Sequence, residues 1–214
     1  MPGLGRLHAP DERDMQYLMS TATPAATMRP QRFYRTGKIL DQGETPTCVG
    51  HAWRQWLSSA VMMTKTGPNP FEIYYQAQRN DEWPGEDYDG TSVRAGAKIL
   101  QAAGHISTYV WAFNADTMRR WLLNNHGTVV VGTWWFDKMF TPDRQGYLDP
   151  SGTPVGGHAY LVVGFSQTKN AFRIVNSWGK EWGQNGRAWV SYNDMDFLVQ
   201  EGGEACTAVE KLIT

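Results

Sequence analysis

The sequence predicts an α+β fold: a helical half, then an antiparallel β-barrel-like half, with a cleft where the two meet. Three observations carry this. Apolar residues recur at helical spacing in the first two-thirds of the chain, as in Val49, Trp53 and Trp56. From Thr128 the composition turns to β-branched and aromatic runs such as Thr-Val-Val-Val-Gly-Thr-Trp-Trp, ending at Trp135. Helical and β segments follow one another without regular alternation, which argues against a parallel βαβ sheet. The expected divisions are an N-terminal extension or crossing segment over 1–40, a helical unit over 41–127 and a β unit over 128–214.

Taken in order, residues 1–40 are mixed and carry Pro2, Pro10, Pro24 and Pro30. Asp11 to Met19 reads as a short helix and Thr21 to Arg29 as an extended crossing segment. A loop with Gln42, Gly43 and Pro46 enters a helix starting near Cys48. Its inward face is Val49, Trp53, Trp56, Ala60 and Met63, and Thr47 is placed to cap it by accepting an orphan amide. Gly67-Pro-Asn-Pro70 breaks the chain before a second helix, Phe71 to Arg79. Asp81 to Gly90 is strongly acidic and reads as a solvated loop; the sharper alternative is a loop beside the cleft that favours basic groups on a ligand. Thr91 or Ser92 opens a helix closed by Gly104, and Asp116 opens another closed by Gly127. Strands are expected at Thr128 to Trp135, Ala159 to Phe165, Phe172 to Val175, Arg187 to Tyr192 and Ala205 to Lys211.

Composition narrows the function classes. At 214 residues the chain is long enough to bury a core. Twenty basic and 21 acidic residues give a net charge of −1 with no basic run, so neither nucleic acid nor an anionic membrane is the expected partner. Two cysteines make no disulfide framework, and a reducing, cytoplasmic setting is the simpler expectation. Met1 to Ser20 lacks the apolar core of a signal peptide, and no run approaches the roughly 18 apolar residues of a membrane span.

Chemistry gathers at four residues. A thiol on the first turn of a helix sits at the positive end of the dipole, which favours thiolate; the bland alternative is an inert buried Cys48. Gln42, six residues earlier, can turn a side-chain amide toward the sulfur as an oxyanion donor. His158 and Asn176 flank a hairpin. Pairing about Gln167 sets them directly opposite, so that the Asn176 amide oxygen can fix the imidazole and leave its other nitrogen for the thiol. The expected resting state is a thiolate–imidazolium pair, with attack by Cys48 giving an acyl-enzyme. His51 has no further ligands for a metal site. Cys206 reads as a buried structural thiol.

Gln42-x5-Cys48, Gly157-His158-Ala159 and Asn176-Ser-Trp-Gly-x-x-Trp-Gly-x-x-Gly186 together resemble the papain-family cysteine peptidases over roughly residues 40–195. The resemblance implies the papain fold, hydrolysis of peptide or protein substrates and neither metal nor organic cofactor. It also implies that Trp178 shields the His158–Asn176 hydrogen bond from water. The Asp81–Gly96 stretch resembles papain-like proteins of bacteriophages and bacteria, which makes virion proteins candidate partners and a virion-associated location an alternative. The departures are Val49 where the family usually has Trp, Thr45 where it has a disulfide cysteine, Gly157 before the histidine, and too few residues before Gln42 for a long inhibitory propeptide. Residues 1–30 are the segment within reach of the cleft. Two alternatives stay open: a peptidoglycan peptide hydrolase, and a non-catalytic peptide-binding or virion structural component, which a blocked cleft would favour.

Overall fold

A computed structural model describes residues 1–19 and 29–209. In chain order the elements are β1 (Gln31–Phe33), α1 (Cys48–Leu57), α2 (Pro70–Gln78), α3 (Val93–Ala102), β2 (Thr108–Ala112), α4 (Ala115–Leu123), β3 (Val129–Phe136), β4 (Pro154–Ser166), β5 (Ala171–Val175), β6 (Arg187–Ser191), α5 (Tyr192–Gln200) and β7 (Glu204–Val209). A short 3₁₀ turn, Glu12–Gln16, stands where the N-terminal helix is expected. Residues 20–28, most of the expected crossing segment, and the last residues of the expected final strand lie outside the described residues.

Local chemistry explains the helix bounds. Asn69 closes a capping box on α2, accepting from the Glu72 amide while the Glu72 carboxylate accepts from Asn69. Ser92 caps α3 by accepting from the Ala95 amide at 3.0 Å. Two expected caps are corrected. Asn114, not Asp116, caps α4, accepting from the Thr117 amide, while Asp116 lies one turn in and pairs with Arg119 and Arg120. Thr47 stands at the α1 N-cap without a capping bond, because its hydroxyl is engaged with Thr45 and His51. α1 also ends before Ala60 and Met63: Ser59 turns both its amide and its hydroxyl onto the Trp56 carbonyl. In α2 the buried face is Ile73, Tyr74 and Ala77, while Phe71 and Tyr75 are exposed.

The strands form one antiparallel sheet in the order β2-β7-β3-β4-β5-β6, and β1 pairs with the end of β4. Side chains alternate between the two faces. Val131, Trp135, Tyr160 and Val162 pack with Met118 and Leu122 of α4 and Leu198 of α5. Val130, Ala159, Leu161 and Cys206 face the opposite layer, where they meet Cys48, Ala52, Trp53 and Trp56 of α1 and Leu100 of α3. Helix α1, with Cys48 at its start, is therefore seated on the sheet that carries His158.

The hairpin register differs from the expected one. β4 and β5 pair Ser166 with Ala171, slip at a bulge between Val162 and Gly164, and resume with Leu161 opposite Val175. Continuing that register sets Asn176 opposite Tyr160, two residues from His158. The two side chains still share a face, because a shift of two preserves the pleat.

Candidate active site

Cys48 is the first residue of α1 and is fully buried, as are His158 on β4 and Asn176 just after β5. His158 Nε2 lies 2.8 Å from Asn176 Oδ1, so the diagonal neighbours meet. The Ser177 amide donates to the same Oδ1 at 2.8 Å, which identifies that atom as the amide oxygen. Nε2 must then carry the hydrogen, and Nδ1, which makes no hydrogen bond among the described residues, keeps a free lone pair. Trp178 stacks on the imidazole at 4.6 Å between ring centres, and Trp135 meets its edge at 4.8 Å. Phe140 stacks on the far face of this group against Trp178.

Gln42 joins the pair through the backbone. Segment 40–42 runs antiparallel to 177–179, with the Gln42 amide donating to the Ser177 carbonyl and the Gly179 amide to the Leu40 carbonyl. The Ser177 hydroxyl donates to Gln42 Oε1 at 2.5 Å, which turns Nε2 outward as a donor. That nitrogen donates to the carbonyls of Thr45 and Gly3.

The Gly3 contact belongs to a strap. The Gly3 amide donates to the Gly43 carbonyl, and the amides of Gly5 and Arg6 donate to the Gly157 carbonyl, beside His158. Leu7 and Thr91 then exchange with Gly5 in a parallel bridge: the Leu7 amide donates to Thr91 and the Thr91 amide to Gly5. Trp178 Nε1 also donates to the Gly3 carbonyl. Residues 3–7 thus run past the loop that enters α1 at Cys48 and the strand position before His158. Glycine is required twice, since a Cβ on Gly3 or Gly5 would sit 2.0 Å from the carbonyl oxygens of Thr45 and Pro46.

The strap reverses the expected electrostatics. Burial pushes the Cys48 thiol up to about 12 and the His158 imidazole down to about 4. Both groups are neutral in this closed form, so the resting ion pair expected from the helix dipole is corrected: desolvation outweighs the dipole when no water reaches the sulfur. The imidazolium is disfavoured in the fold, so His158 withdraws stability as pH falls from its ordinary 6.5 toward 4, roughly 3 kcal/mol in full. Glu204, whose carboxyl burial pushes up, acts with the opposite sign. The clean readout is therefore the ring itself: by proton NMR the His158 resonance should stay neutral through pH 6 and titrate near 4. A midpoint near 6.5 would show that the imidazole is open to water.

The structure places the other expected residues as follows. Trp135 lies fully buried against the edge of His158. The acidic loop is partly spent on internal partners: Asp81 accepts from Tyr88 and Thr91, and Glu82 pairs with Arg94 and Lys98. His51 Nδ1 is held by Thr47. Ser177 and Phe140 were not legible as site residues, and of these only Ser177 carried a signal, its place inside the Asn-Ser-Trp-Gly motif; the strap falls within residues 1–30, the segment expected within reach of the cleft. Both cysteines are free. No helix among the described residues is long and apolar enough to cross a membrane.

Comparisons with known proteins bear on this arrangement. An uncharacterized peptidase C1-like protein of Acanthamoeba polyphaga mimivirus is 50% identical in an alignment covering 69% of this chain, and the chain spans 62% of that protein's length. Among solved structures, xylellain, a cysteine protease from Xylella fastidiosa, superposes with a TM-score of 0.79 at 19% identity, over 98% of this chain and 97% of that one. The bromelain protease of Ananas comosus superposes with a TM-score of 0.60 at 15% identity, over 82% and 94%. Residues 42–207 match the family model of the papain family cysteine proteases, and the chain belongs to that family.

Proposed function

We propose that the chain is a cysteine peptidase whose cleft, between units 41–127 and 128–214, is held closed by its own residues 3–7. The observation that carries this reading is the His158–Asn176 bond at 2.8 Å, with Nδ1 free, on the strand against which the Cys48 helix is seated. In the reading, a peptide displaces the strap, Cys48 gives its proton to His158 Nδ1, and the sulfur attacks the peptide carbonyl carbon. His158 returns the proton to the leaving amine, and water hydrolyses the thioester. Asn176 holds the Nε2–H tautomer, and Trp178 keeps water from that bond. Gln42 Nε2 and the Cys48 amide stabilise the oxyanion. Support for the Gln42 role comes from the Gly3 carbonyl, which already lies on that donor as a substrate carbonyl would.

The strap also favours a second reading, a peptide-binding component that never turns over, because every member of the triad is buried. The viral relative supports virion proteins as substrates or partners in either case, and the two unpaired cysteines support a reducing setting. Gln42→Ala separates the readings. In a strap-released chain it should lower kcat by about 10²–10³ with little change in KM. Asn176→Ala should slow turnover less, by loosening the tautomer. An unchanged kcat in Gln42→Ala removes that residue from the chemistry.

A further inference from the structure

Away from the catalytic residues, two arginines share a pocket in which, among the described residues, no carboxylate pairs with them. Phe33 of β1 lies opposite Gly164 of β4, Gly164 opposite Arg173 of β5, and Arg173 opposite Trp189 of β6. The three side chains therefore leave the sheet on one face. This row crosses β4 about 20 Å along the strand from His158. Gly164 keeps it open: a Cβ there would lie 2.5 Å from Phe33 Cδ1, and in its absence the Phe33 ring meets Trp189 edge to face at 5.8 Å. With Tyr34, Val163 and Arg187 the row lines an open cavity of about 310 Å³. The Arg173 guanidinium sits 4.7 Å from the Trp189 ring centre, and Lys169 Nζ approaches the same ring at 5.3 Å. Among the described residues both arginines donate only to neutral oxygens: Arg173 Nη1 to Gln184 Oε1 at 2.8 Å, and Arg187 to the Thr36 hydroxyl and the Asn185 carbonyl. The chain's nearly buried arginines Arg6 and Arg94, by contrast, are each paired with a carboxylate. Burial, and after it the Arg187 charge, hold Arg173 down to about 10.

We propose that this cavity is a second binding site, separate from the catalytic cleft, for a carboxylate carried on an aromatic or aliphatic body, with Arg173 and Arg187 holding the anion and Phe33 and Trp189 covering the body. A carboxylate has two oxygens in one plane, which suits the guanidinium fork and lets each arginine take one. The bound anion supplies the counter-charge that the fold omits and offsets the repulsion between the two arginines. It does so in a half-buried place, where a charge pair is worth more than at open surface. The apolar body removes from water an aromatic wall that the fold leaves wet, since Phe33 is 42% exposed. An inorganic anion meets only the first demand and an uncharged apolar group only the second, so the two together select the class. A free aryl or alkyl acid and the C-terminal residue of a peptide both present this chemistry. The volume lies at the lower end of small-ligand sites, which suits one such group. None of the groups of the peptidase chemistry takes part, so the site stands apart from that reading.

Binding tests the pocket independently of turnover. The full chain carrying Cys48→Ala is titrated into dansyl-Gly-Ser-Gly-Ser-Gly-Ala-Phe, once with a free C-terminus and once as the carboxamide, and anisotropy is read. The free acid should bind at least about tenfold tighter than the amide. Arg173→Gln should erase the difference, and so should Arg187→Gln, which keeps the test in force if the first change alone disturbs folding. Competition then separates the two sources. N-acetyl-L-phenylalanine that displaces the probe at the peptide's own affinity assigns the site to free acids; displacement only at concentrations about tenfold higher or more assigns it to peptide ends, and either result upholds the site. Inorganic phosphate, which has no apolar body, should compete at least about tenfold more weakly than N-acetyl-L-phenylalanine. No binding of the acid, equal binding of acid and amide, a difference that survives both arginine substitutions, or phosphate competing as well as N-acetyl-L-phenylalanine overturns the proposal.

Discussion

Gly3→Val/Gly5→Val should convert a silent chain into an active one, raising hydrolysis of a fluorescent casein by about 10²-fold or more. Each substitution places carbon atoms where the strap passes within contact of the Thr45 and Pro46 carbonyls. What holds residues 3–7 is five backbone hydrogen bonds, side-chain hydrogen bonds from Gln42 and Trp178 to the Gly3 carbonyl and from Arg6 to the Gly202 carbonyl, and the Arg6–Glu204 ion pair. Neutral hydrogen bonds contribute about 0.5–1.5 kcal/mol each, so two hard clashes are enough to shift the segment. Two consequences follow from its departure. The Gln42 donor is freed from the Gly3 carbonyl, and water reaches Cys48, which removes the desolvation that keeps the thiol protonated near neutral pH. A melting temperature close to that of the parent chain confirms that only the strap moved. Unchanged silence in a folded variant would favour the binding component over the enzyme.

In the released background, Cys48→Ala should abolish hydrolysis, a loss of about 10⁴-fold or more. In the proposed chemistry the Cys48 sulfur is the attacking atom, placed on the first turn of α1. Folding should survive, because Cys48 makes a small contribution to a layer dominated by Trp53, Trp56, Leu100 and Leu161. Cys206 is buried on β7 within the same layer, paired across the strands with Val130 rather than set at a helix start. Retained hydrolysis in Cys48→Ala would remove the nucleophile assignment.

Much of the fold was legible because it is written locally. The 3.6-residue spacing of α1 and α3, the Gly67–Pro70 break and the β-branched run of β3 each act within one element. The parts that were missed depend on partners. β1 and β2 are three and five residues long and become strands only by pairing with β4 and β7. α5 presents only Met195, Leu198 and Val199 inward, too few for a clear period. The turn is centred between Thr168 and Lys169 rather than on Gln167, and the bulge between Val162 and Gly164 takes back one residue; the net offset of two could not be counted from the turn, yet His158 and Asn176 keep the same face. The protonation states failed for the same kind of reason. The helix dipole is local and readable, whereas the burial that overrides it is tertiary, set by packing of Cys48 in a layer with residues as distant as Ala159 and Leu161.

The most direct measurement is intact mass after brief exposure to a peptidyl-epoxide thiol inhibitor at neutral pH, with the modified residue mapped, on the parent chain and on Gly3→Val/Gly5→Val side by side. The account predicts slow modification of the parent and rapid single modification at Cys48 once the strap is displaced. Equal, slow modification of both chains, or modification at Cys206 alone, would contradict it.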